Sequence, residues 1–166
     1  MPRPPLVLCL LLACSADPTA APTPRPATPA PPAAASTPPR LVPAPRGGRV
    51  AEVVEAERAG AEGTRLVVYV GASWCEPCVA FHDALVAGRL DAELPNVRFL
   101  EFDLDRDRAR LEADGYSSRY VPLFALPGPD GRASGAQIEG GTKGPGAAEA
   151  LVRRLSPLLD NEGAPR

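Results

Sequence analysis

The stretch Leu66-Val67-Val68-Tyr69-Val70-Gly71-Ala72-Ser73-Trp74-Cys75-Glu76-Pro77-Cys78 decides how this chain is read. Its first half is a β-branched apolar run between Gly63 and Gly71, and predicts a buried strand over 65–70. Its second half ends in two cysteines separated by two residues, with Pro77 where a first helical turn tolerates proline. A strand that stops before Cys75 and a helix that starts on it place the first sulfur at a helix N-terminus. Unpaired N–H groups and the positive end of the helix dipole favour a thiolate there. Only the thiolate attacks a disulfide, so Cys75 is predicted to be a redox nucleophile, with Cys78 able to close a small ring with it.

Three other uses of such a cysteine pair fit poorly. A zinc site needs about four ligands, and His82 alone offers a nearby nitrogen, so no metal is expected. Covalent haem attachment needs a histidine directly after the second cysteine, and Val79 stands there. A purely structural ring of this size would add little stability.

Outward from the tetrad, the helix is expected to run to about Ala87, with Phe81, Leu85 and Val86 on the core face. Upstream, Val50, Val53 and Val54 among Glu52, Glu55, Glu57 and Arg58 predict a helix over 50–59. Downstream, a strand is expected over 96–104, a charged helix over 105–114 stopped by Gly115, and a third strand over 121–126. The sequence Pro127-Gly128-Pro129-Asp130-Gly131 makes a turn into a fourth strand over 133–139. A last helix, 146–159, sets Leu151, Leu155, Leu158 and Leu159 on one face. Alternating units of this kind give an α/β domain with a parallel pair, crossover helices and an antiparallel hairpin.

This order, with Trp74-Cys75-Glu76-Pro77-Cys78 after the first strand, resembles the thioredoxin fold, a central mixed sheet of four to five strands flanked by helices. The stretch Gly71–His82 and the later Val121-Pro122-Leu123-Phe124 are most similar to periplasmic members of that superfamily, including the C-terminal domain of the membrane electron transporter DsbD. The resemblance implies that Cys75 attacks, that Cys78 resolves the mixed disulfide, and that Trp74 helps bind the substrate, with Val121, Pro122 and Gly140. It also implies a cis bond at Val121–Pro122, facing the cysteines and pairing with a bound peptide, and a groove wall at Gly140-Gly141. Outside the resemblance, Pro122 reads as a trans proline opening an edge strand, and Gly140 as a flexible turn. Cytosolic relatives carry a buried aspartate six residues before the first cysteine; Tyr69 stands there in this chain and, with a phenol pKa near 10, is a poor base. Proton transfer then falls to water, Glu76, His82, Glu101 or Asp103. A cationic His82, one helical turn after Cys78, would lower a thiol pKa; otherwise it is a half-buried helix residue. Glu76, beside Cys75, is expected to raise the pKa of that thiol and make the disulfide less oxidising.

Residues 1–13 read as an export signal: Arg3, then an apolar run over 6–13 too short to span a bilayer. Leu11-Leu12-Ala13-Cys14-Ser15 resembles the lipobox of bacterial lipoproteins, which implies lipidation of Cys14; plain cleavage after Ala16 is the alternative. Residues 14–48 are rich in Pro, Ala and Thr without an aromatic residue, and are expected to form a disordered tether. Fourteen of the 22 prolines occur by Pro45, whereas all eight aromatic residues lie between Tyr69 and Phe124, which places the folded domain at 49–162. Beyond residue 48 the chain carries 14 basic against 19 acidic residues, without a basic stripe, so nucleic acid is not an expected partner. The expected protein is a monomeric, periplasm-facing lipoprotein without a cofactor. It would exchange electrons with protein thiols and disulfides of the cell envelope and draw them from a membrane donor. The alternative is a non-catalytic adaptor that binds a peptide in the same groove.

Overall fold

The structure is a computed structural model and describes residues 36–160; the expected signal segment, Cys14 and most of the tether lie outside the described residues. Its elements run β1 (Arg40–Pro43), α1 (Val50–Ala59), β2 (Arg65–Gly71), α2 (Glu76–Val86), β3 (Val97–Asp103), α3 (Leu104–Ala113), β4 (Leu123–Pro127), β5 (Ala133–Glu139) and α4 (Ala147–Asp160). The five strands form one mixed sheet in the order β1-β3-β2-β4-β5. The first three strands are mutually parallel, while β4 runs antiparallel to β2 and β5 antiparallel to β4.

Strand β2 is central and, from Leu66 onward, buried on both faces, which is why its sequence there is a continuous apolar run rather than alternating. Its pleat divides the core. Val67 and Tyr69 point into a cluster with Phe81 and Leu85 of α2 and Leu151 and Leu155 of α4. Leu66, Val68 and Val70 point into a second cluster, with Val54 of α1 and Leu111 of α3.

Three sequence expectations need correction. The tether does not extend to residue 48, because Arg40–Pro43 is the edge strand β1, paired with Arg98–Glu101 of β3. Only Leu41 and Val42 carry an apolar signal there, one packed on each face of the sheet, and flanking prolines hide it. Pro43 is tolerated because β1 is an edge strand. Val86 is 68% exposed rather than part of the core; α2 ends there and turns outward at Ala87. Leu158 keeps its expected place on the face of α4 shared with Leu151, Leu155 and Leu159, half-buried against the same cluster. Strand β4 begins at Leu123 rather than at residue 121, since Pro122 has no N–H to give to a ladder.

Helix α1 starts without a side-chain cap of its own. Asp114, at the C-terminal end of α3 and almost fully buried, supplies the missing acceptor. It takes the Ala51 N–H at 3.0 Å, Arg49 at 2.7 Å and Arg132 at 2.9 Å. Burial alone would raise the Asp114 carboxyl, but these donors outweigh it and hold the group below the usual carboxylate range. A carboxyl lowered in this way contributes stability above the unfolded value, about 4, and loses it as pH falls through the folded value. Replacing Asp114 with Ala is expected to cost about 2 kcal/mol in urea unfolding at pH 7, by stranding the Ala51 N–H. The cost should shrink steadily below pH 4.

Candidate active site

Cys75 and Cys78 form a disulfide, with Cα atoms 5.2 Å apart. Cys75 is the N-cap residue of α2, in extended conformation, and its sulfur accepts the Cys78 backbone N–H at 3.3 Å. The sequence placed this sulfur at a helix start; the structure gives it a specific donor. Once the ring is opened, the same N–H and the end of the helix dipole favour the Cys75 thiolate. Cys75 is 5% exposed and Cys78 2%, so Cys78 is the more sheltered sulfur.

On the outer side of the disulfide lies a groove of about 400 Å³ that brings together Trp74, Cys75, Glu76, Val121 and Gly140. Trp74 is 64% exposed, and its indole N–H donates to Asp105 Oδ2 at 2.8 Å. The Val121–Pro122 bond is cis, as the resemblance implied. Val121 faces the groove, but Pro122 is buried and does not line it. Its carbonyl accepts the Gly140 N–H at 2.8 Å and so joins two walls of the groove from beneath. Tyr120, 60% exposed on the rim, went unnoticed in the sequence; its place next to Val121-Pro122 was the available signal.

On the inner side, a cavity of about 380 Å³ is lined by Cys78, Tyr69, His82, Glu101, Asp103 and Arg106. The Tyr69 hydroxyl donates to the Cys78 carbonyl at 3.2 Å, and its ring stacks on Phe124. Burial pushes this phenol far above neutral pH, so Tyr69 fixes the backbone of the second cysteine and takes no proton. A side chain at Gly71 would collide with the same hydroxyl, 2.8 Å from where a Cβ would stand, which accounts for glycine at the end of β2. Glu101 is the register partner of Tyr69 on β3. Burial raises its carboxyl above the usual range, with Asp103 adding to the rise and His82 and Arg106 opposing it. His82 is 42% exposed in its side chain, with Nδ1 3.5 Å from Asp83 Oδ1. It shares the cavity with Cys78 but has no hydrogen bond to either cysteine. The carboxylate of Glu76 accepts the Gly144 N–H at 2.7 Å, from the loop between β5 and α4.

This arrangement can carry out thiol–disulfide exchange: a cappable sulfur at a groove, a sheltered second sulfur one turn on, and an acid in a cavity behind it. A larger cavity, about 750 Å³, lies at the other end of the sheet beside Arg58, Thr64 and Glu93, and holds none of the predicted residues.

No family model and no curated protein matches the chain. Solved structures do. The thioredoxin of Trichomonas vaginalis is 18% identical over 73% of this chain and 96% of its own, with a TM-score of 0.46. That of Fasciola hepatica is 22% identical over 64% and 92%, with a TM-score of 0.45. Thioredoxin O1 of Arabidopsis thaliana, in its oxidised state, is 19% identical over 75% and 97%, also at 0.45.

The raised Glu101 carboxyl yields a test. An acid whose folded pKa is raised opposes folding once pH exceeds its unfolded value, and contributes nothing below it. Glu101→Gln is therefore expected to raise the Tm at pH 7 and leave it unchanged at pH 3, as thermal unfolding of the two proteins at both pH values would show. By its strand order, the disulfide at the head of α2 and the cis-proline bond beside the groove, this chain is a thioredoxin-fold protein.

Proposed function

We propose that this protein is a thiol–disulfide oxidoreductase that donates electrons to disulfides of exported proteins, held at a membrane through lipidated Cys14. The observation that carries the redox reading is the Cys75 sulfur, capped by the Cys78 N–H and bordering the groove between Trp74, Val121 and Gly140. In the reduced form, the Cys75 thiolate attacks one sulfur of a substrate disulfide. A mixed disulfide forms and the other substrate sulfur leaves as a thiolate, which takes up a proton. Cys78 then loses its proton and attacks the Cys75 sulfur, releasing the second substrate thiol and closing the Cys75–Cys78 ring. Two electrons and two protons pass to the substrate.

Glu101 is suited to receive the Cys78 proton, because it shares the inner cavity with that sulfur and burial raises its affinity for a proton. The export signal and lipobox-like segment support an oxidising compartment and a membrane-side electron donor. In that setting the protein acts as a monomer on protein thiols and disulfides.

Reduction of insulin disulfides by dithiothreitol should be accelerated by the wild-type protein. Cys75→Ser should abolish the acceleration, and Cys78→Ser should accumulate mixed disulfides visible by non-reducing electrophoresis. A wild-type protein without turnover, together with two silent substitutions, would leave a peptide-binding adaptor as the better reading. The direction of electron flow is checked by the reduction potential, which should lie near the thioredoxin value, about −270 mV, and not near that of a strong oxidant, about −120 mV. Replacing Cys14 should release the protein from the membrane fraction; unchanged fractionation would remove the anchor from this proposal.

A further inference from the structure

Glu76 is the first helical residue of α2 and the neighbour of Cys75, the position from which a carboxylate would act on the sulfur by charge. Its geometry suggests a different task. The carboxylate reaches across to the Gly140–Gly146 loop and accepts the Gly144 N–H at 2.7 Å. The loop is also attached elsewhere: the Gly144 and Gly146 carbonyls accept the Ala147 and Ala150 N–H groups at the start of α4. The Gly140 N–H is taken by the Pro122 carbonyl. The guanidinium of Arg154, on α4, donates to the Glu139 and Gly140 carbonyls. Gly141 packs against the start of α2 so closely that a Cβ would stand 2.9 Å from Pro77 Cβ and 3.1 Å from Leu151 Cδ2. Past Gly141 the loop is exposed, and among the described residues Thr142 and Lys143 make no hydrogen bond. The bond from Glu76 is what ties this outer half to the helix that carries the cysteines. Gly140, Gly141 and Lys143 line the groove over Cys75 together with Tyr120 and Val121.

We infer that Glu76 is a positioning residue that latches the Gly140–Gly146 loop onto α2 and so fixes the groove wall against which a protein disulfide docks. The inference rests on the oxidoreductase reading for its consequence, since wall position matters only if a cystine is presented there. It separates two effects of one carboxylate. Charge on Cys75 acts on every disulfide alike and is lost in both Glu76→Gln and Glu76→Ala. The latch needs only an acceptor oxygen, which Gln keeps and Ala lacks, and it matters for a protein substrate but not for a small one.

The experiment compares second-order rate constants of the pre-reduced protein with insulin and with uncharged bis(2-hydroxyethyl) disulfide, alongside hydrogen exchange at the Gly144 amide. The insulin-to-small-disulfide ratio is expected to fall about fivefold in Glu76→Ala and to stay within about twofold of wild type in Glu76→Gln, as loss of one hydrogen bond predicts. Gly144 exchange should accelerate in Glu76→Ala alone. Gly141→Ala, which pushes the loop off Pro77 with Glu76 intact, should lower the ratio as well. Equal ratios in the Gln and Ala variants, or Gly144 exchange that does not respond to Glu76→Ala, would overturn the latch. A wild-type protein inert towards both disulfides would sink the oxidoreductase reading instead, while the exchange measurement would still report on the latch.

Discussion

The hydrogen bond from the Cys78 N–H to the Cys75 sulfur is the constraint on which the rest of the site depends. An N-cap residue normally satisfies an orphan amide with an oxygen. A sulfur in that role is a weak acceptor as a neutral thiol and a strong one as a thiolate, so the helix start rewards ionisation of the atom that must ionise for exchange. The arrangement demands an extended residue at 75, a helix opening at Glu76 and a strand ending a few residues earlier. Each demand is met locally: β2 stops at Gly71, Pro77 suits the first turn, and the buried Phe81, Ala84 and Leu85 seat α2 on the sheet.

The sheet supplies the remaining geometry through register. Tyr69 lies opposite Glu101 on one side and Phe124 on the other. The inner cavity therefore takes its phenol from β2 and its acid from β3, while Val121, just ahead of β4, faces the outer groove. The two sulfurs consequently meet different surroundings within a single helical turn. Cys75 borders a groove rimmed by exposed Trp74 and Tyr120, and Cys78 borders a cavity rimmed by titratable groups. In the proposed exchange, that asymmetry suits the first sulfur to attack and the second to resolution.

Much of this was legible in the chain because the signals are short-range. A continuous β-branched run, two cysteines at a helix start and a proline–glycine turn each specify local structure within a few residues. The fourth strand, 133–139, falls where the turn chemistry places it. What stayed hidden depends on contacts between distant segments. The strand β1 carries two apolar residues among prolines and becomes a strand only because β3 offers an unpaired edge. The burial of Pro122 and its bond to Gly140 join residues that no sequence pattern links. Glu76 was expected to act on its neighbour Cys75, yet its carboxylate is engaged 68 residues away. Glu101 could be named as an acid, but only register puts it opposite Tyr69.

The edge strand also fixes where the described chain begins relative to the disulfide. Strand β1 is parallel to β3, and the chain ahead of it is pinned at Thr37, which exchanges hydrogen bonds with Asn96 just before β3 begins. The disulfide follows the opposite end of β2, whose last residue pairs with Asp103 at the far end of β3. Seven paired residues separate those ends, about 23 Å at the usual rise of a strand. The described chain therefore begins at one pole of the sheet and carries its disulfide at the other.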